Sequence, residues 1–109
     1  MSDLSAVLID DDPLVIAGWM LKANQVGKRI LAVRSYQEFL SRKNEVTHNT
    51  PVFIDSGLGN NERGELRAQE IKAVGFEKVY LVTGYPPEEF RSMPWLDGVL
   101  GKAPPPWLF

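Results

Sequence analysis

Six side chains in this sequence are of types that do chemistry together: Asp10, Asp11 and Asp12 in one run, then Asp55, Thr83 and Lys102. Three adjacent carboxylates repel, and each like charge disfavours ionisation of its neighbours. A hard divalent cation bound through oxygen would offset that repulsion, and Mg²⁺ accepts a few carboxylates together with water. Carboxylates, a hydroxyl and an ammonium around such an ion suit phosphoryl transfer to a carboxylate. In that reading Asp55 is the nucleophile and forms an aspartyl phosphate. Thr83 hydrogen-bonds the phosphoryl oxygens and Lys102 pairs with them, where charge is concentrated, while Gly84 leaves room for the incoming group. Asp12 has a plainer part: followed by Pro13, it reads as a helix N-cap with proline at the first helical position.

These residues are far apart in the chain, so the elements between them must bring them together. Leu4 to Ile9 is a short apolar run that reads as a strand buried on both faces. The segment from Leu14 to about Asn24 carries Ile16, Trp19, Met20 and Ala23 at helical spacing, and Gly27 stops it. "RILAV", 29–33, is a second strand. Ser35 caps a helix through "YQEFLSRK", with Glu38 completing a capping box. "PVFI", 51–54, is a third strand that delivers Asp55, and "SGLGNNERG" is a loop rich in turn formers. A helix from Glu65 to Val74 ends at Gly75. "KVYLV", 78–82, ends at Thr83, and Pro86 to Phe90 forms a short helix. "GVLG", 98–101, is the fifth strand, followed by Lys102. Strand and helix alternate at a spacing suited to βαβ crossovers, which predicts an α/β fold with an open doubly wound parallel sheet. Ligands of such sheets lie beyond the carboxyl ends of the strands, where the reactive set collects.

Composition narrows the rest. With 109 residues, 44% apolar and 24% charged, the chain is expected to form one domain over residues 1–109. A formal charge of −2 argues against a nucleic-acid surface, which shows as a basic stripe. No window approaches a membrane span, and the N-terminus lacks the pattern of a secretory signal, so a cytoplasmic location is expected. The absence of cysteine removes disulfides, thiolate nucleophiles and Cys-ligated zinc. The lone His48, in the polar run "NEVTHNTP", reads as a surface-loop residue.

From Val7 to Lys102 the motifs resemble the CheY-like receiver domains of two-component response regulators. "LIDDDPLV" resembles the acidic first-strand motif, "VFIDSGLGNNERG" the phosphoacceptor strand and loop, "LVTGY" the hydroxyl motif and "GVLGKAP" the lysine motif. The resemblance implies a five-stranded sheet in the order 2-1-3-4-5. It implies a Mg²⁺ site made by Asp10, Asp11 (the direct ligand), Asp55 and the Gly57 carbonyl, with Asp55 the phosphoacceptor and Thr83 and Lys102 at the phosphoryl group. It also implies a histidine kinase or phosphotransfer protein as donor and a downstream protein target. Such a domain is a phosphoacceptor with slow self-dephosphorylation rather than an enzyme in its own right.

Three positions and the chain's last segment depart from the family pattern. Val99 stands where an aromatic switch residue is usual, which predicts a muted conformational response, with Tyr85 able to take over part of it. Ala103 stands where proline follows the lysine; a cis bond before a non-proline residue costs roughly 2.5–4 kcal/mol, so a different loop geometry is expected. Gly59 replaces a common proline. The last helix is missing: only "APPPWLF" remains, and three prolines exclude a helix there. The sheet face beneath would then need cover from the tail 103–109, or more fully from a partner helix or a second copy in a homodimer. Two other functions fit the same residues less completely. One is a phosphorylation-independent pseudo-receiver acting as an interaction or dimerisation module. The other is a metal-dependent phosphohydrolase, disfavoured because no D-x-D carboxylate accompanies Asp55.

Overall fold

A computed structural model describes residues 3–59 and 61–109; Asn60, within the turn-former run, lies outside the described residues. Five parallel strands form one sheet in the order β2-β1-β3-β4-β5. They are β1 (Ala6–Ile9), β2 (Ile30–Val33), β3 (Val52–Asp55), β4 (Val79–Val82) and β5 (Gly98–Leu100). Three helices connect them: α1 (Pro13–Gln25), α2 (Tyr36–Arg42) and α3 (Gly64–Ala73). The expected doubly wound architecture and strand order are those observed.

Local signals act largely as the sequence reading requires. Asp12 caps α1, its carboxylate accepting the Leu14 N–H at 2.9 Å, with Pro13 opening the helix. Ser35 caps α2 by accepting the Glu38 N–H at 3.0 Å. The reciprocal half of the box is displaced by one residue: Glu38 Oε1 accepts from the Arg34 N–H at 2.9 Å rather than from the cap itself. Three spans differ from expectation. Leu4 and Ser5 precede β1, with Ser5 bonding Arg29 outside the strand. Asp55 is the last residue of β3, paired with Val82, rather than the first residue beyond it. The connection from β4 to β5 holds only a 3-10 turn, Pro87–Phe90, because Pro86 and Pro87 supply no N–H and Pro94 closes the stretch.

Alternation along the strands sends side chains to two layers. Val7, Ile9, Leu31, Val33, Val52, Ile54, Val79 and Leu81 face Tyr36 and Phe39 of α2 and Ala68 and Ile71 of α3. Ala6, Leu8, Ile30, Phe53 and Val82 face Trp19 and Ala23 of α1. On this second face the tail 103–109 packs beside α1. Leu108 is buried in the α1-side layer with Phe109 packed beside it, and Trp107 lies against Phe53 and Tyr80 with centroids 6.0 and 5.4 Å away. Lys28 donates to the Leu108 carbonyl at 3.2 Å. The tail thus covers part of this face, its rings bringing large apolar area on few residues, while Trp107 stays 58% exposed. His48 is exposed as expected, its ring 4.8 Å from that of Phe76.

Candidate functional site

The carboxyl ends of β1, β3, β4 and β5 bring the reactive set to one edge. Asp10, immediately after β1, is fully buried, and its N–H still continues the sheet to the Val33 carbonyl at 3.0 Å. One carboxylate oxygen of Asp10 accepts the Asp12 N–H at 2.9 Å. The other accepts from the Lys102 ammonium at 3.4 Å across 92 residues of sequence. Lys102 also donates to Asp55 Oδ1, its tighter contact. Asp10, Asp11 and Asp55 each offer an oxygen within 4.8 Å of the others. Asp12 stays out of this group and serves α1.

Burial sets the electrostatics. Removal from water pushes the Asp10 carboxyl above its ordinary value; the Asp12 amide and Lys102 oppose this, and the Asp55 charge adds to it. Burial pulls the Lys102 ammonium down, but the hydrogen bond and charge of Asp55, then those of Asp10, outweigh it and leave the group above its ordinary value. Three carboxylates against one ammonium is an all-oxygen donor set short of positive charge. It fits a hard divalent cation such as Mg²⁺, which Asp10, Asp11 and Asp55 would hold. Gly57, whose carbonyl the sequence reading adds to this set, is exposed two residues beyond Asp55 and is bridged to Arg63 across the loop.

That loop is shaped by close approach. A Cβ on Gly59 would stand 3.2 Å from an Asp11 carboxylate oxygen, at a backbone φ of +73° that L side chains rarely adopt. A Cβ on Gly64, the first residue of α3, would fall 1.7 Å from the Asp55 carbonyl oxygen. The helix therefore starts directly on the backbone of the candidate nucleophile, with the Gly64 N–H bonded to the Ser56 carbonyl at 3.0 Å.

Thr83 is buried at the end of β4, its N–H bonded to the Leu100 carbonyl at 2.9 Å. Its hydroxyl oxygen accepts from Ser56 Oγ at 2.9 Å and from the Tyr85 N–H at 3.1 Å. Tyr85 itself is 63% exposed, on the rim of a cleft of about 650 Å³ lined also by Ser56, Gly57, Arg63, Glu65 and Phe90. Val99 packs, partly buried, against the α2–α3 layer. The peptide bond between Lys102 and Ala103 is trans, as are all those described.

Two contacts were not foreseen from sequence. Ser56 reads as a loop residue, yet its position next to Asp55 on a strand paired with β4 places it within reach of Thr83. Trp19 reads as one member of an apolar stripe, yet its indole N–H donates to the Lys102 carbonyl at 2.9 Å from 83 residues away. A sign was present in that a buried tryptophan needs an acceptor, though nothing in the sequence says which.

Comparison with known proteins bears on the fold. No family profile and no curated protein sequence matches the chain. Among solved structures, the chain is similar to a response regulator receiver domain (CheY-like) from Methylobacillus flagellatus. The identity is 20% and the TM-score 0.71, covering 92% of this chain and 86% of that one. It is also similar to a fusion carrying amino acids 181–211 of the yeast Spc42 trimeric coiled coil. There the identity is 15% and the TM-score 0.76, over 96% of this chain and 72% of that one. The fold is thus that of CheY-like receiver domains. Among the described residues no helix is long and apolar enough to cross a membrane.

Proposed function

We propose that this domain is a phosphoacceptor receiver of a two-component or phosphorelay system, taking a phosphoryl group on Asp55 in a Mg²⁺-dependent reaction. The observation that carries this reading is the meeting of Lys102 with Asp55 and Asp10 while Asp11 lies within ion-sharing distance. A buried carboxylate flanked by two others and paired with an ammonium is a charge arrangement suited to a cation on one side and an anion on the other.

An Asp55 carboxylate oxygen attacks phosphorus as the bond from phosphorus to the donor's leaving group breaks, and the leaving group departs with that electron pair. The product is an acyl phosphate. Asp10, Asp11, Asp55 and the Gly57 carbonyl would hold a divalent ion, which when bound would neutralise phosphoryl charge. Lys102 leaves its pairing with the Asp55 carboxylate for a phosphoryl oxygen, and the Thr83 hydroxyl hydrogen-bonds another. The donor is a histidine kinase or phosphotransfer protein, and the output is altered contact with a downstream protein partner in the cytoplasm.

The test is mass spectrometry after mixing the protein with Mg²⁺ and acetyl phosphate. One added phosphoryl group is expected, lost in Asp55→Asn and in Asp11→Asn, with Mg²⁺ affinity also lost in the latter. An unchanged mass in the wild-type chain with Mg²⁺ bound would favour the pseudo-receiver reading.

A further inference from the structure

Lys102 is gripped at two points. Its ammonium meets Asp55 and Asp10, and its carbonyl accepts the indole N–H of Trp19 at 2.9 Å. The segment around it has little else to fix its backbone. β5 ends at Leu100, and Pro104, Pro105 and Pro106 have no N–H to donate. Among the described residues, the Trp19 indole is the hydrogen-bonding group that ties the backbone of residues 101–107 to the body of the domain.

The indole is well placed to act as a fixed point. Trp19 is 1% exposed, so no bulk water can replace the Lys102 carbonyl as acceptor, and breaking the bond would strand a buried donor. Its ring is held from two sides, by Phe53 at a centroid distance of 5.2 Å and by Phe109 at 6.4 Å, edge-on at 80°. The tail thus presses on the ring that holds the residue from which the tail departs. A lysine side chain is long and flexible, and its ammonium is placed reliably only if its Cα is.

We infer that Trp19 is a positioning residue for Lys102: the indole N–H fixes the Lys102 backbone so that the ammonium reaches the Asp55 carboxylate and, later, the group transferred to it. This deepens the receiver reading and rests on it for the role of Lys102 in phosphoryl transfer. Trp19 touches no reacting atom and acts through Lys102 alone.

The experiment is Trp19→Phe in the full chain, which keeps an aromatic ring and removes the donor. With Mg²⁺ and acetyl phosphate, uptake of the phosphoryl group at a temperature well below unfolding should slow about tenfold, the scale of one buried hydrogen bond. Mg²⁺ affinity should be unchanged, since Trp19 is not among the residues whose three carboxylates would hold the ion. In a Lys102→Ala background the same substitution should cause no further slowing, whereas a merely structural role would leave the rate alone and lower thermal stability equally in both backgrounds. A second readout needs no phosphodonor: the NMR signal of the Lys102 ε-methylene, distinct in the wild-type chain, should move to the free-lysine position in Trp19→Phe. If the wild-type chain takes up no phosphoryl group, the receiver reading fails while this signal still decides the role of Trp19. An unmoved Lys102 signal in a folded Trp19→Phe chain overturns the inference. Should that variant not fold, Phe109→Leu, which loosens the indole without removing it, should move the signal part of the way, and an unmoved signal there overturns it equally.

Discussion

On one face of the sheet, α2 and α3 lay Phe39, Ala68 and Ile71 over a carpet of valine, isoleucine and leucine. On the other face a single helix, α1, shares the ground with a seven-residue tail, and a chain of rings links them: Trp19, Phe53, Tyr80, Trp107 and Phe109. A helix satisfies its own backbone and can cover a sheet with large and small side chains alike, as Phe39 and Ala68 do here. A tail has no internal ladder to satisfy its polar groups, so it does best with few N–H groups and large side chains. Three prolines meet the first need, and tryptophan, leucine and phenylalanine meet the second. Rings pack on both faces, but on the second they include those of a tail with few backbone ties, and that design concentrates risk in single residues.

The sharpest way to break this comparison is Phe53→Ala. Phe53 is fully buried and meets Trp19, Tyr80 and Trp107, so the cost should lie near the top of the range of about 3–5 kcal/mol for truncating a core phenylalanine. Phe39→Ala on the helical face should cost less, and denaturant unfolding of the two variants side by side decides the order. A smaller effect is expected for Leu108→Ala, about 2 kcal/mol, since Leu108 is buried but lies in a segment with few backbone ties. A loss below about 0.5 kcal/mol, the range of ordinary surface substitutions, would mean that the tail rests on the face without closing it.

The helical face is also pinned by charge, and there the prediction is one of pH. Asp97 accepts the Val79 N–H at 2.8 Å and the Lys72 ammonium at 3.0 Å, joining the start of β4 to α3. Burial raises the Asp97 carboxyl, but the Val79 amide and Lys72 outweigh it and hold the group below its ordinary value of 3.8. A carboxyl that ionises more readily in the fold than in the unfolded chain adds stability above the unfolded value, and that stability fades as pH falls through the lowered folded value. Asp97→Asn should therefore cost about 1 kcal/mol at pH 7, with the difference from wild type shrinking below pH 3.8, as thermal unfolding across pH would show. The smallest effect is expected for Lys28→Met. Removing its bond to the Leu108 carbonyl should change stability by no more than about 0.5 kcal/mol, because Lys28 is exposed.

What could be read in advance follows from how local each signal is. The strands, the Asp12 and Ser35 caps and the gathering of Asp10, Asp11, Asp55, Thr83 and Lys102 rest on short patterns and on the rule that strand ends share an edge. The fate of the tail was less legible, because prolines say only what a segment cannot form. The link from Trp19 to Lys102 was beyond reach: it spans 83 residues and depends on where a non-helical turn happens to place one carbonyl. The irregular stretch between β4 and β5 misled for a related reason, since Pro86-Pro87-Glu88-Glu89 carries a helix-start signature that Pro94 leaves no length to extend.

Gly64 has a consequence for how this chain can change over generations. A single substitution at Asp11 could silence the candidate centre while leaving every contact of the backbone in place. No substitution at position 64 is as quiet, because any side chain there would collide with the Asp55 carbonyl and push α3 off β3. Drift would therefore erase the charges around Asp55 before it erased the contour of the loop that carries them. A descendant that had abandoned the chemistry would still keep glycine at position 64, a fossil of shape outlasting the reaction it was built around.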